Sequence, residues 1–356
     1  MTGGSFRGVS RAIGRSDPTA VRLLWLTLVP GWVILTAAIV AFAALGDVPL
    51  VYQLVPLVVS VVLLGLPHGA VDHLAVARAR GEAATVRWFA VVGALYLVAG
   101  GLYAAVWVIA PAAAFAFFIL LTWAHWGQGD LYPLAAVVGG DGGYPGGRVH
   151  RVLVAATRGA LPMVVPLVAF PDQYELVAGT LVGLFDPDAG AALGAAFTAE
   201  ARMMAAGVVG VLVVASLSVG FLHAGPSRPW LVDAGETLLL VVFFLSVPPV
   251  FAVGLYFCVW HALRHVGRLV AIDPDGGPTL RAGGYGAALW SFARDAAPLT
   301  GVSLLFLVVL ALAVPGGVET PLELVGAYLV LIAALTLPHT LIVAWMDGAQ
   351  GVWRPR

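Results

Sequence analysis

What most limits the fold is a succession of apolar segments, each close to the roughly 20 residues that a helix needs to cross a bilayer. Their approximate limits are 22–45, 50–69, 88–110, 115–138, 152–170, 202–222, 231–247, 249–269, 299–315 and 322–345. A chain of 356 residues that is 61% hydrophobic and only 10% charged has far more apolar surface than a soluble domain can bury. Inside lipid, each backbone polar group must find its partner within the protein, which favours helices. The expected class is therefore all-α, a polytopic transmembrane bundle of about ten helices. Residues 1–21 read as an N-terminal tail, 22–346 as the transmembrane domain that carries any site, and 347–356 as a C-terminal tail. The apolar piece 174–185, interrupted by Gly179 and Gly183, is too short to span and is assigned to the interface.

Charge supports that count. Arg7, Arg11, Arg15 and Arg22 precede the first span; Arg78, Arg80 and Arg87 follow the second; Arg148 and Arg151 follow the fourth. The intervening loops carry Asp47, Asp172, Glu175, Asp186, Asp188, Glu200 and Glu319 with almost no arginine. The positive-inside rule then puts both termini in the cytoplasm and the chain in the plasma membrane as a multi-pass protein. A net charge of −1 offers no basic patch to nucleic acid. With Cys258 as the single cysteine, an internal disulfide and a thiolate metal site are both excluded. All 18 basic residues are arginine, so the chain has no lysine to hold retinal as a Schiff base.

Against this apolar background the histidines stand out. Trp260-His261-Ala262-Leu263-Arg264-His265 sets two imidazoles four residues apart in the eighth span. On an α-helix that spacing leaves them about 40° apart, so both can face one atom. Ionisable side chains at membrane depth are costly and mark function by default. His68 closes the second span, His125 lies in the fourth and His339 is late in the tenth. These even-numbered helices all run the same way, so one site can gather the four segments.

Each segment has neighbours that fit such a site. In Pro67-His68-Gly69-Ala70-Val71-Asp72-His73, Pro67 cannot bond to the carbonyl of Leu63, which weakens the helix at His68. Asp72 shares a face with His68 and can orient an imidazole, whereas His73 points about 140° away and is not expected to bind the same metal. In Trp123-Ala124-His125-Trp126-Gly127-Gln128-Gly129-Asp130, the polar groups need partners inside the bundle. His339, in Leu337-Pro338-His339, fits three roles equally: a further ligand, a donor behind the ligands, or an interfacial histidine. Asp347 is expected among headgroups, and His150 and His223 are expected in solvated loops without a metal role. Arg264 either snorkels or pairs with Asp72 or Asp130. Neutral imidazoles without thiolates suit iron, zinc or copper better than calcium or magnesium, and four of them suit an iron(II) centre with a position open for dioxygen.

These motifs together resemble the Brp/Blh family of membrane-integral β-carotene 15,15′-dioxygenases, in the family's order, over about residues 50–345. Where many members have phenylalanine, this chain has Trp126, a conservative aromatic change. The resemblance implies an Fe(2+) enzyme that splits the central double bond of β-carotene with O2 into two molecules of all-trans-retinal. Carried over position by position, it implies His68, His125, His261 and His265 as catalytic iron ligands. Asp72, Asp130, His73, His339 and Arg264 are expected around them. Trp123, Trp126, Tyr256, Phe257 and Trp260 are candidate walls of a polyene tunnel. It also implies a functional link to a microbial opsin, for which the chain would make chromophore.

Other classes fit less well. A b-type cytochrome has no use for two ligands four apart on one helix. A di-iron desaturase needs His-x-x-His-His boxes, which are absent from the sequence. A transition-metal transporter should spread its ligands along a path, and it ranks second with other carotenoid-modifying membrane proteins. A structural or opsin-chaperoning role ranks third.

Overall fold

A computed structural model describes residues 18–139, 143–315 and 317–354. Of the arginines used to orient the chain, Arg7, Arg11 and Arg15 lie outside these residues, as does most of the expected N-terminal tail. The long helices are α1 (Pro18–Leu45), α2 (Leu50–Ala70), α4 (Val86–Ile109), α6 (Gly147–Ala169), α8 (Ala199–Ala224), α9 (Arg228–Ser246), α10 (Pro249–Ile272), α12 (Tyr285–Ala313) and α13 (Pro321–Gln350). By length and composition these nine are able to cross a membrane. The remaining expected span, the fourth, is α5 (Pro111–Tyr132), continued by a π-helical turn at Pro133–Val138. It is long enough, but Thr122, His125, Gln128 and Asp130 make it more polar than the others.

Three shorter helices fill the joints: α3 (Asp72–Arg80), α7 (Pro171–Gly183) and α11 (Gly276–Arg281). The apolar stretch that is too short to span falls on α7, whose Ala178, Leu181 and Val182 pack into the bundle beside α5 and α13. Helix ends follow local chemistry. Thr320 and Glu323 form a reciprocal capping box at the start of α13, with bonds of 3.2 and 2.9 Å. Gly81 ends α3 in the left-handed region, at φ 63°, where a glycine pays no Cβ penalty.

α10 is the most enclosed helix, with 72% of its apolar window buried, whereas α12 at 11% lies on the outside. Around α10 stand α1, α2, α5, α6, α9 and α12, and α13 meets it through the Arg268–Asp347 pair. α5 and α6 approach unusually closely: a side chain at Gly127 would meet the Ala155 backbone, and one at Gly159 the Trp123 backbone. This contact holds the His125 face of α5 against the centre of the bundle.

Candidate active site

Local disruption of helices prepares the site. α2 breaks at Leu63–Leu64, where Leu64 leaves the helical region at φ −134°, one turn before Pro67. That is where the bond lost to proline should weaken it. His68 uses the break. Its Nδ1 donates to the carbonyls of Gly65 (2.5 Å) and Leu64 (3.1 Å), so the nitrogen that carries the lone pair is Nε2. A π-helical turn at Phe257–Ala262 holds His261, and another at Tyr96–Gly100 holds Tyr96. Single π-turns inside α-helices often mark functional positions.

Five imidazoles converge here. The His68 ring lies 4.9 Å from that of His339, 5.6 Å from His261 and 5.8 Å from His265, measured between centroids. His125 is 4.8 Å from His261 and 4.9 Å from His339. His339 is in turn 5.1 Å from His265. All five are buried. Ligand atoms of His68, His125 and His339 come within 4.8 Å of one another, as do those of Asp72, His265 and His339. His339, whose role was open from sequence, therefore belongs to both groups.

The ring nitrogens carry the chemical meaning. His339 donates from Nδ1 to Asp72 Oδ2 at 2.8 Å, and Tyr96 donates its hydroxyl to the same oxygen at 2.6 Å. That leaves Nε2 of His339 without a partner, together with Nε2 of His261 and His265 and both ring nitrogens of His125. Buried nitrogens rarely go unpaired unless something outside the protein binds them. Neutral imidazoles converging with bare lone pairs, two of them oriented by a carbonyl or a carboxylate, fit a transition metal. Cys258 is turned away, its thiol directed at the Pro56 carbonyl at 3.6 Å.

The other expected neighbours divide. Asp130 and Arg264 do pair, at 3.2 Å, with Trp260 donating to both Asp130 oxygens at 3.1 Å. Arg264 also lies 3.7 Å above the Trp260 ring and bonds Glu236 at 2.6 Å, so it does not snorkel. His73 is half-buried and edge-on to Phe89 at 5.5 Å, and both rings line the cavity.

A cavity of about 730 Å³ runs from His68, His125, His261 and His339 through otherwise apolar walls. Of the five aromatic candidates, Trp126 and Phe257 line it. Trp123 instead bonds the Ala156 carbonyl at 2.7 Å, and Tyr256 and Trp260 stack on each other in the core behind.

Several buried groups were not foreseen. Arg158 bonds Asp233 at 2.8 Å and Glu236 at 3.1 Å, and Tyr144 donates to Asp233 at 2.6 Å. Arg158, Asp233 and Glu236 all lie within predicted spans, so the rule that flags intramembrane charge would have found them. Two positional expectations are corrected. Asp347 is fully buried, paired with Arg268 at 2.8 Å, because α13 continues past it to Gln350. His150 is also buried: it sits in the first turn of α6 beneath Tyr144, with its Nδ1 accepting from the Gly146 amide at 3.1 Å. His223 is exposed.

A family model described as beta-carotene 15,15'-dioxygenase matches residues 59–347. The chain is 46% identical to the probable beta-carotene 15,15'-dioxygenase Blh of Halobacterium salinarum, over 90% of this chain and 92% of the relative. To the probable beta-carotene 15,15'-dioxygenase Brp of the same organism it is 32% identical, over 97% and 96% of the two chains. No solved structure matches it.

Proposed function

Because this chain belongs to the β-carotene 15,15′-dioxygenase family, we propose that it cleaves the central double bond of β-carotene within the membrane, giving two molecules of all-trans-retinal. The observation that carries this reading is the cluster of bare, neutral imidazole nitrogens opening into a long apolar cavity. One C=C bond and the O–O bond of dioxygen break while two C=O bonds form. The balance closes without a reductant or a nicotinamide.

The residues suit iron(II), with His68, His125, His261 and His265 as the ligands proposed. Ligand atoms come within 4.8 Å of one another in His68, His125 and His339 and in Asp72, His265 and His339, which makes Nε2 of His339 a fifth donor, while the unpaired Nε2 of His261 lies outside both groups. Iron bound there would supply the activation of dioxygen. The protein's part is to hold donors and exclude water. His68 is fixed by two carbonyls and His339 by Asp72, whose oxygen Tyr96 also holds. Gly129 lets His261 approach α5, since a Cβ there would press on its ring at 3.3 Å. The apolar walls accept a hydrocarbon and keep bulk water from the reacting bond.

The arginine distribution supports cytoplasmic termini and the plasma membrane as the location. The product is the chromophore of microbial opsins, and the chain has no lysine to keep it, which supports supply to such a partner. Transport of a metal would need ligands along a path; the two ligand-capable groups among the described residues share His339 and form one site.

The test is expression in a carotene-accumulating bacterium beside His261→Ala and His265→Ala, measuring retinal and protein-bound iron. The expected result is retinal and iron with the parent chain and neither with the variants. A stable, iron-containing parent that leaves carotene intact would overturn the assignment.

A further inference from the structure

The cavity is not closed on all sides. Every lining residue exposed on the outer face of the bundle belongs to α4 or α12, among them Gly93, Leu97, Gly101 and Val108 on the first and Val302 and Phe306 on the second. On α4 these residues recur every turn or two, so they form one stripe. α12 leans on the Gly65–Ala70 turn of α2 and on α13, while α4 leans on α5 and α13. A slot runs between the two. At Gly93 and Gly101 an added Cβ would meet nothing within 4 Å. The glycines therefore do not serve helix packing; they keep the slot wide.

The slot passes the histidines part-way along its length, not at its end. A side chain at Gly69 would lie 3.6 Å from His339 Nδ1 and 3.8 Å from the Tyr96 hydroxyl, which puts Tyr96 level with the cluster. Lining residues on α4 extend from Phe89 on one side of Tyr96 to Val108 on the other. At 1.5 Å per residue the slot is roughly 28 Å long, with roughly 10 Å on one side of the cluster and 18 Å on the other.

We infer that this slot is the lateral entrance through which a linear hydrocarbon polyene dissolved in the bilayer enters the site, broadside and not end-first. The inference rests on the carotene-cleaving reading above. A rod that settles along the slot presents an interior bond to the histidines, with chain on both sides, whereas an end-first route would bring a ring past them before any interior bond. Both arms must therefore be free to receive it.

Gly93 and Gly101 stand on opposite sides of Tyr96 and separate the two routes. Gly93→Trp, Gly101→Trp and, on the lipid face of α8, Gly210→Trp would be assayed as full-length protein in carotene-loaded liposomes. At Gly210, too, an added side chain meets nothing. Both slot variants are expected to lose about tenfold or more in rate at equal iron content, with Gly210→Trp at the parent rate. Loss in only one slot variant would overturn broadside entry, and the parent rate in both would overturn the slot. Equal loss in Gly210→Trp would mark a general effect of the tryptophan and overturn it as well. Should a tryptophan variant lose iron, leucine at the same position decides by the same criterion. A parent chain that makes no retinal refutes the enzyme assignment instead, a result separate from any of these.

Discussion

Two buried polar regions share helix α10 and are built on opposite rules. On one side, His261 and His265 join His68, His125 and His339 in a group of neutral rings with bare nitrogens. On the other, Arg264 joins Arg158, Asp130, Asp233 and Glu236 in a net of salt bridges between 2.6 and 3.6 Å. Trp32 and Tyr144 complete it at 2.7 and 2.6 Å. In the first region ring nitrogens of His125, His261, His265 and His339 have no partner; in the second every charge has a counter-charge, although Arg158 Nη1 and Arg264 Nε make no hydrogen bond. Burying polar groups is tolerable only when they are satisfied. The charge-paired net therefore serves the fold, tying α1, α5, α6, α9 and α10 together, and the cluster of unpaired ring nitrogens serves a ligand.

The contrast can be broken from either side. Removing a ring from the cluster, as in His125→Ala, whose two ring nitrogens have no protein partner, should abolish retinal formation and iron binding. Unfolding in detergent should shift by no more than about 1 kcal/mol for the apo protein, since no native hydrogen-bond network is cut. A large loss of apo stability would show that the histidines are structural. Glu236→Ala should do the reverse, costing about 3–5 kcal/mol by leaving Arg264 and Arg158 buried without their shared carboxylate. Denaturant titration measures this, and wild-type stability in that variant would mean the net is dispensable.

Smaller changes test the seam between cluster and fold. Asp72→Asn keeps the shape but weakens the grip on His339 Nδ1, and should lower iron affinity or activity by about 10–100-fold. Titration with iron under anaerobic conditions reads the affinity, and an unchanged value would remove His339 from the site. Tyr96→Phe deletes one bond to the same carboxylate while Asp72 stays in place. Its effect should be the smallest, about 0.5–1.5 kcal/mol or less than about tenfold in activity. A Tyr96→Phe effect exceeding that of Asp72→Asn would assign the tyrosine a role of its own.

Much of this was legible in the sequence because membranes simplify the code. Apolar length located the long helices, α5 among them as the segment 115–138, although Thr122, His125, Gln128 and Asp130 interrupt its apolar run. The histidines were conspicuous for the same reason. The pairing of Arg158 with Asp233 and Glu236 was hidden, because it joins α6 to α9 and a sequence orders helices without stating which faces meet. The two buried partners of Arg264 were ambiguous on the same ground: Asp130 could be named from its register, Glu236 could not. His339 remained open because helical spacing says nothing of how α13 crosses α2, and that crossing is what brings its ring to His68.

The orientation of Cys258 has a consequence for the life of the catalyst. Aldehydes condense with amines and add to thiols, so an enzyme that releases two of them per turnover risks alkylating itself. This chain has no lysine, and its only thiol faces the Pro56 carbonyl, off the cavity wall. The product leaves a chamber whose wall carries neither an amine nor a thiol.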